Sequence, residues 1–171
     1  ALPRPAISLL LRDDGLWIGS LGQAYRVQED RVSVLPLPED AGDAVVTRQV
    51  EAQGRLWAGT SAGLFHREGN AWKRHESGEP LARAPIEAML EDRDGNLWVA
   101  MTSGLARLRA GRLREVVSEQ DPVAAAERSI FEDREGNLWL GGQWEGDARL
   151  WNGWTRRYRL RDGLQHRMLW S

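Results

Sequence analysis

The chain has 171 residues, no cysteine, a formal net charge of −2 and 28% charged residues. Its 42% hydrophobic content is enough for one buried core, and its length suits a single domain. The near-neutral charge excludes a broad electrostatic footprint for nucleic acid or an anionic membrane surface, and the missing cysteines exclude disulfides, thiol catalysis and cysteine–zinc sites. The longest apolar stretch, residues 7–11 interrupted by Ser8, is too short to cross a bilayer, and neither end reads as a signal peptide. One number stands out, nine Trp against two Phe and two Tyr.

Taken in chain order, four of the tryptophans mark a repeat. Trp17, Trp57, Trp98 and Trp139 follow one another at intervals of 40, 41 and 41 residues. Each follows a glycine and a leucine, as in Gly15-Leu16-Trp17 and Gly95-Asn96-Leu97-Trp98, and each precedes a second glycine at Gly22, Gly63, Gly104 or Gly146. A period of about 40–45 residues belongs to solenoids or propeller blades. The third repeat decides between them. Ile86, Ala88 and Leu90 alternate with Glu87, Met89 and Glu91, which predicts a strand. A turn over 92–96 follows, then strands over 97–102, 104–109 and 112–117. Ala110-Gly111 and Asn152-Gly153 stand where tight hairpin turns belong. The one helix-like stretch is 122–127. Four short antiparallel strands per repeat predict an all-β chain of β-propeller blades at about 5–38, 45–78, 85–118 and 127–160, with a partial fifth blade at 166–171, the whole of 1–171 forming one propeller region. Within a blade, a Trp two residues from a Gly or Ala lets neighbouring blades interdigitate, so the periodic tryptophans are read as core.

Leu90-Glu91-Asp92-Arg93-Asp94-Gly95-Asn96-Leu97-Trp98-Val99 and Phe131-Glu132-Asp133-Arg134-Glu135-Gly136-Asn137-Leu138-Trp139-Leu140 closely resemble the two-component regulator propeller repeat. The first two repeats are worn, Arg12-Asp13-Asp14-Gly15 lacking the Glu and Asn, and Glu51-Ala52-Gln53-Gly54-Arg55 the Asp and Asn. Asp162-Gly163-Leu164 fits the family's blade linker. The resemblance implies a non-catalytic sensor region of a bacterial signal-transduction receptor, periplasmic and part of an inner-membrane protein whose output is a histidine kinase or diguanylate cyclase. It also implies that the chain is a fragment of a longer receptor. Blade faces left open at the ends are expected to drive self-association unless the ring closes.

Enzyme signatures are not found. His66, His75 and His166 fall at unrelated repeat positions without metal-ligand spacing, and no cofactor motif is present. Asp92 and Asp133 recur at the same turn, where an aspartate holds its own backbone. Binding residues are sought where the repeats differ. One such position lies near the start of each first strand, Ser8, Thr47, Glu87, Arg128 and Trp170, and it reads either as a ligand site or as a solvated channel mouth. A second candidate is Trp144, in the loop 142–147, either a sugar or cation platform or a packing residue. Three functions remain in order: a sensor for a small-molecule or protein signal, an interaction scaffold, and a propeller lyase or hydrolase. Neither nucleic acid nor membrane insertion by this segment is expected.

Overall fold

The computed structural model describes residues 4–76, 83–102, 104–118, 127–142, 147–151 and 154–158. They form sixteen strands in four antiparallel sheets of four, each sheet a meander of consecutive strands. The first sheet contains β1 (Ser8–Arg12), β2 (Gly15–Gly19), β3 (Gln23–Gln28) and β4 (Arg31–Pro36). The second contains β5 (Val46–Ala52), β6 (Arg55–Thr60), β7 (Gly63–Glu68) and β8 (Ala71–Arg74). The third contains β9 (Ile86–Glu91), β10 (Leu97–Met101), β11 (Gly104–Arg109) and β12 (Arg112–Ser118). The fourth contains β13 (Glu127–Glu132), β14 (Leu138–Gly142), β15 (Asp147–Trp151) and β16 (Trp154–Tyr158). These are propeller blades. A 3-10 turn at Glu39–Ala41 is absent from the sequence expectation. The expected helix-like stretch 122–127 ends on Glu127, which is the first residue of strand β13; 122–126 lie outside the described residues, as do Asn152-Gly153 and the partial blade at 166–171.

The chain divides into two compact units, Ala1–Ile86 and Glu87–Ser171. In the first, the two sheets pack through Trp17, Ala24 and Leu35 on one side and Val46, Leu56, Ala58, Phe65 and Trp72 on the other. In the second, Ala88, Trp98, Ala100, Leu105 and Val117 meet Leu138, Leu140, Ala148 and Leu150. One rule covers both interfaces. The Trp-bearing face of the earlier sheet receives the Leu-bearing face of the later one, because side chains alternate along β2, β6, β10 and β14. Close approach needs a small residue two positions after the Trp. A Cβ on Gly19 would lie 2.7 Å from the Val46 carbonyl oxygen and 2.2 Å from Ser8 Oγ. The turns are set by backbone chemistry as well. Arg109 pairs with Arg112 across Ala110 and Gly111, at φ 49° and 75°, so the two-residue hairpin loop is of the left-handed kind that suits strand twist.

Candidate functional site

The third and fourth sheets carry the same turn cage. Asp92 Oδ1 accepts from the backbone amides of Asp94 (3.0 Å) and Asn96 (2.8 Å), and the Asn96 Nδ2 donates to both carboxylate oxygens (3.0 and 2.8 Å). The Trp98 indole then donates to Asp92 Oδ2 at 2.7 Å. Asp133 repeats every bond with Glu135, Asn137 and Trp139, its indole contact again 2.7 Å. Burial works against ionisation of Asp133, but the Trp139 indole, the Asn137 side chain and amide and the Glu135 amide hold its carboxyl down at about 2. Asp92 is lowered by the same set of donors against the same opposing burial. These carboxylates are fully spent on structure, which accounts for them without acid–base chemistry.

Between these turns, in the second unit, lies a cleft of about 500 Å³. Trp98, Leu138 and Leu150 form its apolar part, while Asp94, Glu132, Glu135, Arg93 and Arg107 stand among its polar lining. Arg93 is held across it by Glu132 (Nε to Oε1 2.6 Å, amide to Oε2 2.9 Å) and donates further to the carbonyls of Asp133 and Arg134. Arg107 places its guanidinium carbon 5.6 Å from the Trp98 ring centroid. Asn96 also lines the cleft; it is 5% exposed, and its Oδ1 has no hydrogen-bond partner among the described residues. Sequence reading missed this cleft, since none of its residues is unusual alone.

The positions singled out from the sequence are distributed as follows. Ser8 is buried and donates to the Val46 carbonyl at 3.1 Å. Thr47 is half-buried, its Oγ1 donating to the Gly59 carbonyl (3.0 Å) and to the carbonyl of Ile86 (2.8 Å), the last residue of that unit. The Ser8 hydroxyl thus ties β1 to β5. Glu87 is half-buried in β9, and Arg128 has its place in β13. Trp144 and Trp170 lie outside the described residues.

Register also brings together two histidines that looked unrelated in the sequence. His66 stands beside Trp57 across β6 and β7, and His75 joins them because its amide donates to the Leu64 carbonyl at 2.9 Å. The Trp57 ring centroid is 5.4 Å from each imidazole, and the imidazoles are 6.2 Å apart. Burial lowers the pKa of both, helped by Arg55 at His66 and by His66 at His75. Among the described residues, no group of three or more His, Cys, Asp or Glu is placed to hold a metal ion. No helix among the described residues is long and apolar enough to cross a membrane.

Comparison with known proteins agrees with this architecture. The family model described as two component regulator propeller matches residues 80–103 and 127–144. No curated protein matches the chain. Among solved structures, an extracellular domain from B. thetaiotaomicron, described as that of a one component system, BT4673, superimposes with a TM-score of 0.77 at 16% identity, over 99% of this chain and 25% of that one. The extracellular domain described for the hybrid two component system BT3049, from the same organism, gives a TM-score of 0.60 at 17% identity, over 94% of this chain and 28% of that one. Virginiamycin B lyase from Staphylococcus aureus gives 0.70 at 15% identity, over 90% of this chain and 55% of that one. The chain therefore spans between a quarter and about half the length of these structures. At such identities the likeness is one of fold.

Proposed function

We propose that the chain, which the two component regulator propeller model matches at residues 80–103 and 127–144, is a non-catalytic sensor region of a bacterial signal-transduction receptor, on the extracytoplasmic side of the membrane. The observation that carries this reading is the match of that repeat at the third and fourth sheets; the extracellular domains from B. thetaiotaomicron support it as folds of the same kind. In this reading the signal, a small molecule or a protein, is bound either where the first strands begin, with Glu87, Arg128 and Trp170 as its contacts, or at Trp144 in the loop 142–147; Thr47, at the equivalent position of the first unit, has its hydroxyl engaged by backbone. Apolar side chains left exposed, Leu9 and Leu11 on β1, Val32 and Val34 on β4 and Phe131 on β13, are the proposed route to self-association.

A thermal-shift screen against sugars, amino acids and organic acids tests the reading. A stabilising hit that disappears in Glu87→Ala or Arg128→Ala is the expected result. Turnover of any screened compound would instead favour an enzyme, the activity that virginiamycin B lyase carries on a similar fold. Light scattering after size exclusion tests the self-association; a monomer at all concentrations counts against it.

A further inference from the structure

The third sheet sets two arginines opposite each other on its Trp98 face. Arg107 on β11 pairs in register with Trp98 on one side and with Arg114 on β12 on the other. Like charges directly opposite across strands repel, and among the described residues no carboxylate forms an ion pair with either arginine. The first two sheets treat the position differently. Arg26 faces Ser33 and has Asp14 at 3.8 Å, while His66 faces Lys73, which Glu68 holds. In the third sheet the aspartate that takes the indole, as Asp14 does, is Asp92, and its oxygens are already filled by Asn96, two backbone amides and Trp98. Arg107 is left half-buried, its guanidinium carbon 5.6 Å from the Trp98 ring centroid and its N–H donors without an acceptor among the described residues. The outer strand is irregular at the same place. Leu105 pairs with Val117 and Ala106 with Glu115, so Val116 is an extra residue, a bulge that the outer strand pairs of the other three sheets do not have. It leaves Val116 exposed and lining the cleft of about 500 Å³ that Arg107 also lines. Bulges re-aim side chains in this way beside functional sites.

We propose that this cleft binds a small zwitterion of the α-amino-acid class, its carboxylate on Arg107 with Arg114 beside it, its ammonium toward Asp94 and Glu135, and an aliphatic side chain against Val116. The charges decide the class. Of the carboxylates in the lining, Asp92 is held by its turn and Glu132 by Arg93. Asp94 and Glu135 remain, exposed and without an ion pair among the described residues. The groups left over are thus two guanidiniums, Arg107 and Arg114, and two carboxylates. A simple anion or a simple cation satisfies one pair and meets the other as a like charge, whereas a zwitterion satisfies both. A guanidinium takes a carboxylate through two parallel N–H bonds, which gives Arg107 the partner that Arg26 finds in Asp14. The volume falls in the ordinary range of small-molecule sites, about 300–1,000 Å³. The cleft adjoins the turn beyond the end of β9, while Glu87 stands at its start, so this site is separate from the strand-start positions and does not depend on the receptor reading.

Titration of the chain with leucine, N-acetyl-leucine and leucinamide, followed by calorimetry and by the indole N–H resonance of Trp98, tests the proposal. Saturable binding of leucine is expected, with each blocked form about tenfold or more weaker, the scale of one charge-assisted contact. Arg107→Gln should weaken leucine binding by about the same factor, and Arg114→Gln by less, while Glu87→Ala leaves it unchanged. Should Arg107→Gln fail to fold, Arg114→Gln and Asp94→Asn serve instead, since both change exposed side chains. Absence of saturable leucine binding, a blocked form that binds as tightly as leucine, affinity untouched in all the cleft variants, or a loss in Glu87→Ala as large as theirs would overturn the proposal.

Discussion

In the second unit, one aspartate per sheet holds its turn and its tryptophan together, whereas in the first unit the two tasks are separated. Asp92 and Asp133 each take an indole, an asparagine side chain and two backbone amides. Asp14 takes the Trp17 indole at 2.9 Å in a turn without asparagine, and the Trp57 indole donates to the Ala52 carbonyl at 3.0 Å, no aspartate being present. What every sheet keeps is an acceptor for the N–H of its repeating tryptophan, Trp17, Trp57, Trp98 or Trp139. The full motif is one way to supply it, and backbone is another. The interfaces differ as well. The first unit packs its tryptophan with Arg67 and Trp72, and the second packs Trp98 with Leu138 and Leu150.

The largest test of this contrast is truncation of the tryptophans themselves. Trp98→Ala and Trp17→Ala should each cost about 3–5 kcal/mol in chemical denaturation, because both rings are buried in an interface. Trp139, only half-buried, should cost clearly less; equal losses would show that burial is not the reason. Next come the acceptors. Asp92→Ala orphans the indole and the turn amides together and should cost about 2–3 kcal/mol, while Asp14→Ala should cost about 1 kcal/mol. A reversed order would break the account of the two kinds of turn.

Acid separates the units by the window in which each weakens. Folding lowers the pKa of His66 and His75 below 6.5, so the stability they contribute is complete above that value and is lost as pH falls below it. Folding also lowers Asp133 from 3.8 to about 2, so its contribution is complete above about pH 4 and disappears as pH falls through about 2. Hydrogen exchange should therefore register the first weakening in the second sheet, as pH falls below 6.5, with the turns of the third and fourth sheets intact. His66→Gln together with His75→Gln should remove that early phase. The smallest effect is expected from the surface pairs that link consecutive sheets. Glu51→Gln, which weakens a two-bond contact with Arg12 at 2.8 and 2.9 Å, should cost at most about 1 kcal/mol, because the pair is open to solvent.

Much of the fold is legible in the sequence because it rests on local signals. Alternation over Ile86, Ala88 and Leu90 gives β9, and the Gly-Asn-Leu-Trp turns give the starts of β10 and β14. The turn role of Asp92 and Asp133 could be read from its recurrence. The 3-10 turn at Glu39–Ala41 carries no capping hydrogen bond from a side chain and leaves no such mark. The meeting of His66 and His75 depends on pairing across β7, and the cleft draws its lining from two consecutive sheets, so neither is marked in any one stretch of sequence.

Each sheet is a meander in which every strand pairs with its neighbour in the chain. The bonds that join consecutive sheets, such as Ser8 to Val46 and Arg93 to Glu132, span 38 and 39 residues. The loops that close during folding are therefore short within a sheet and of nearly equal length between the paired sheets of each unit. Closure entropy grows only slowly with loop length, so adding a repeat lengthens the chain without introducing a harder search. Folding can then proceed during synthesis, each sheet finding its partner as soon as one further period has been made, and refolding rates should change little as repeats are added.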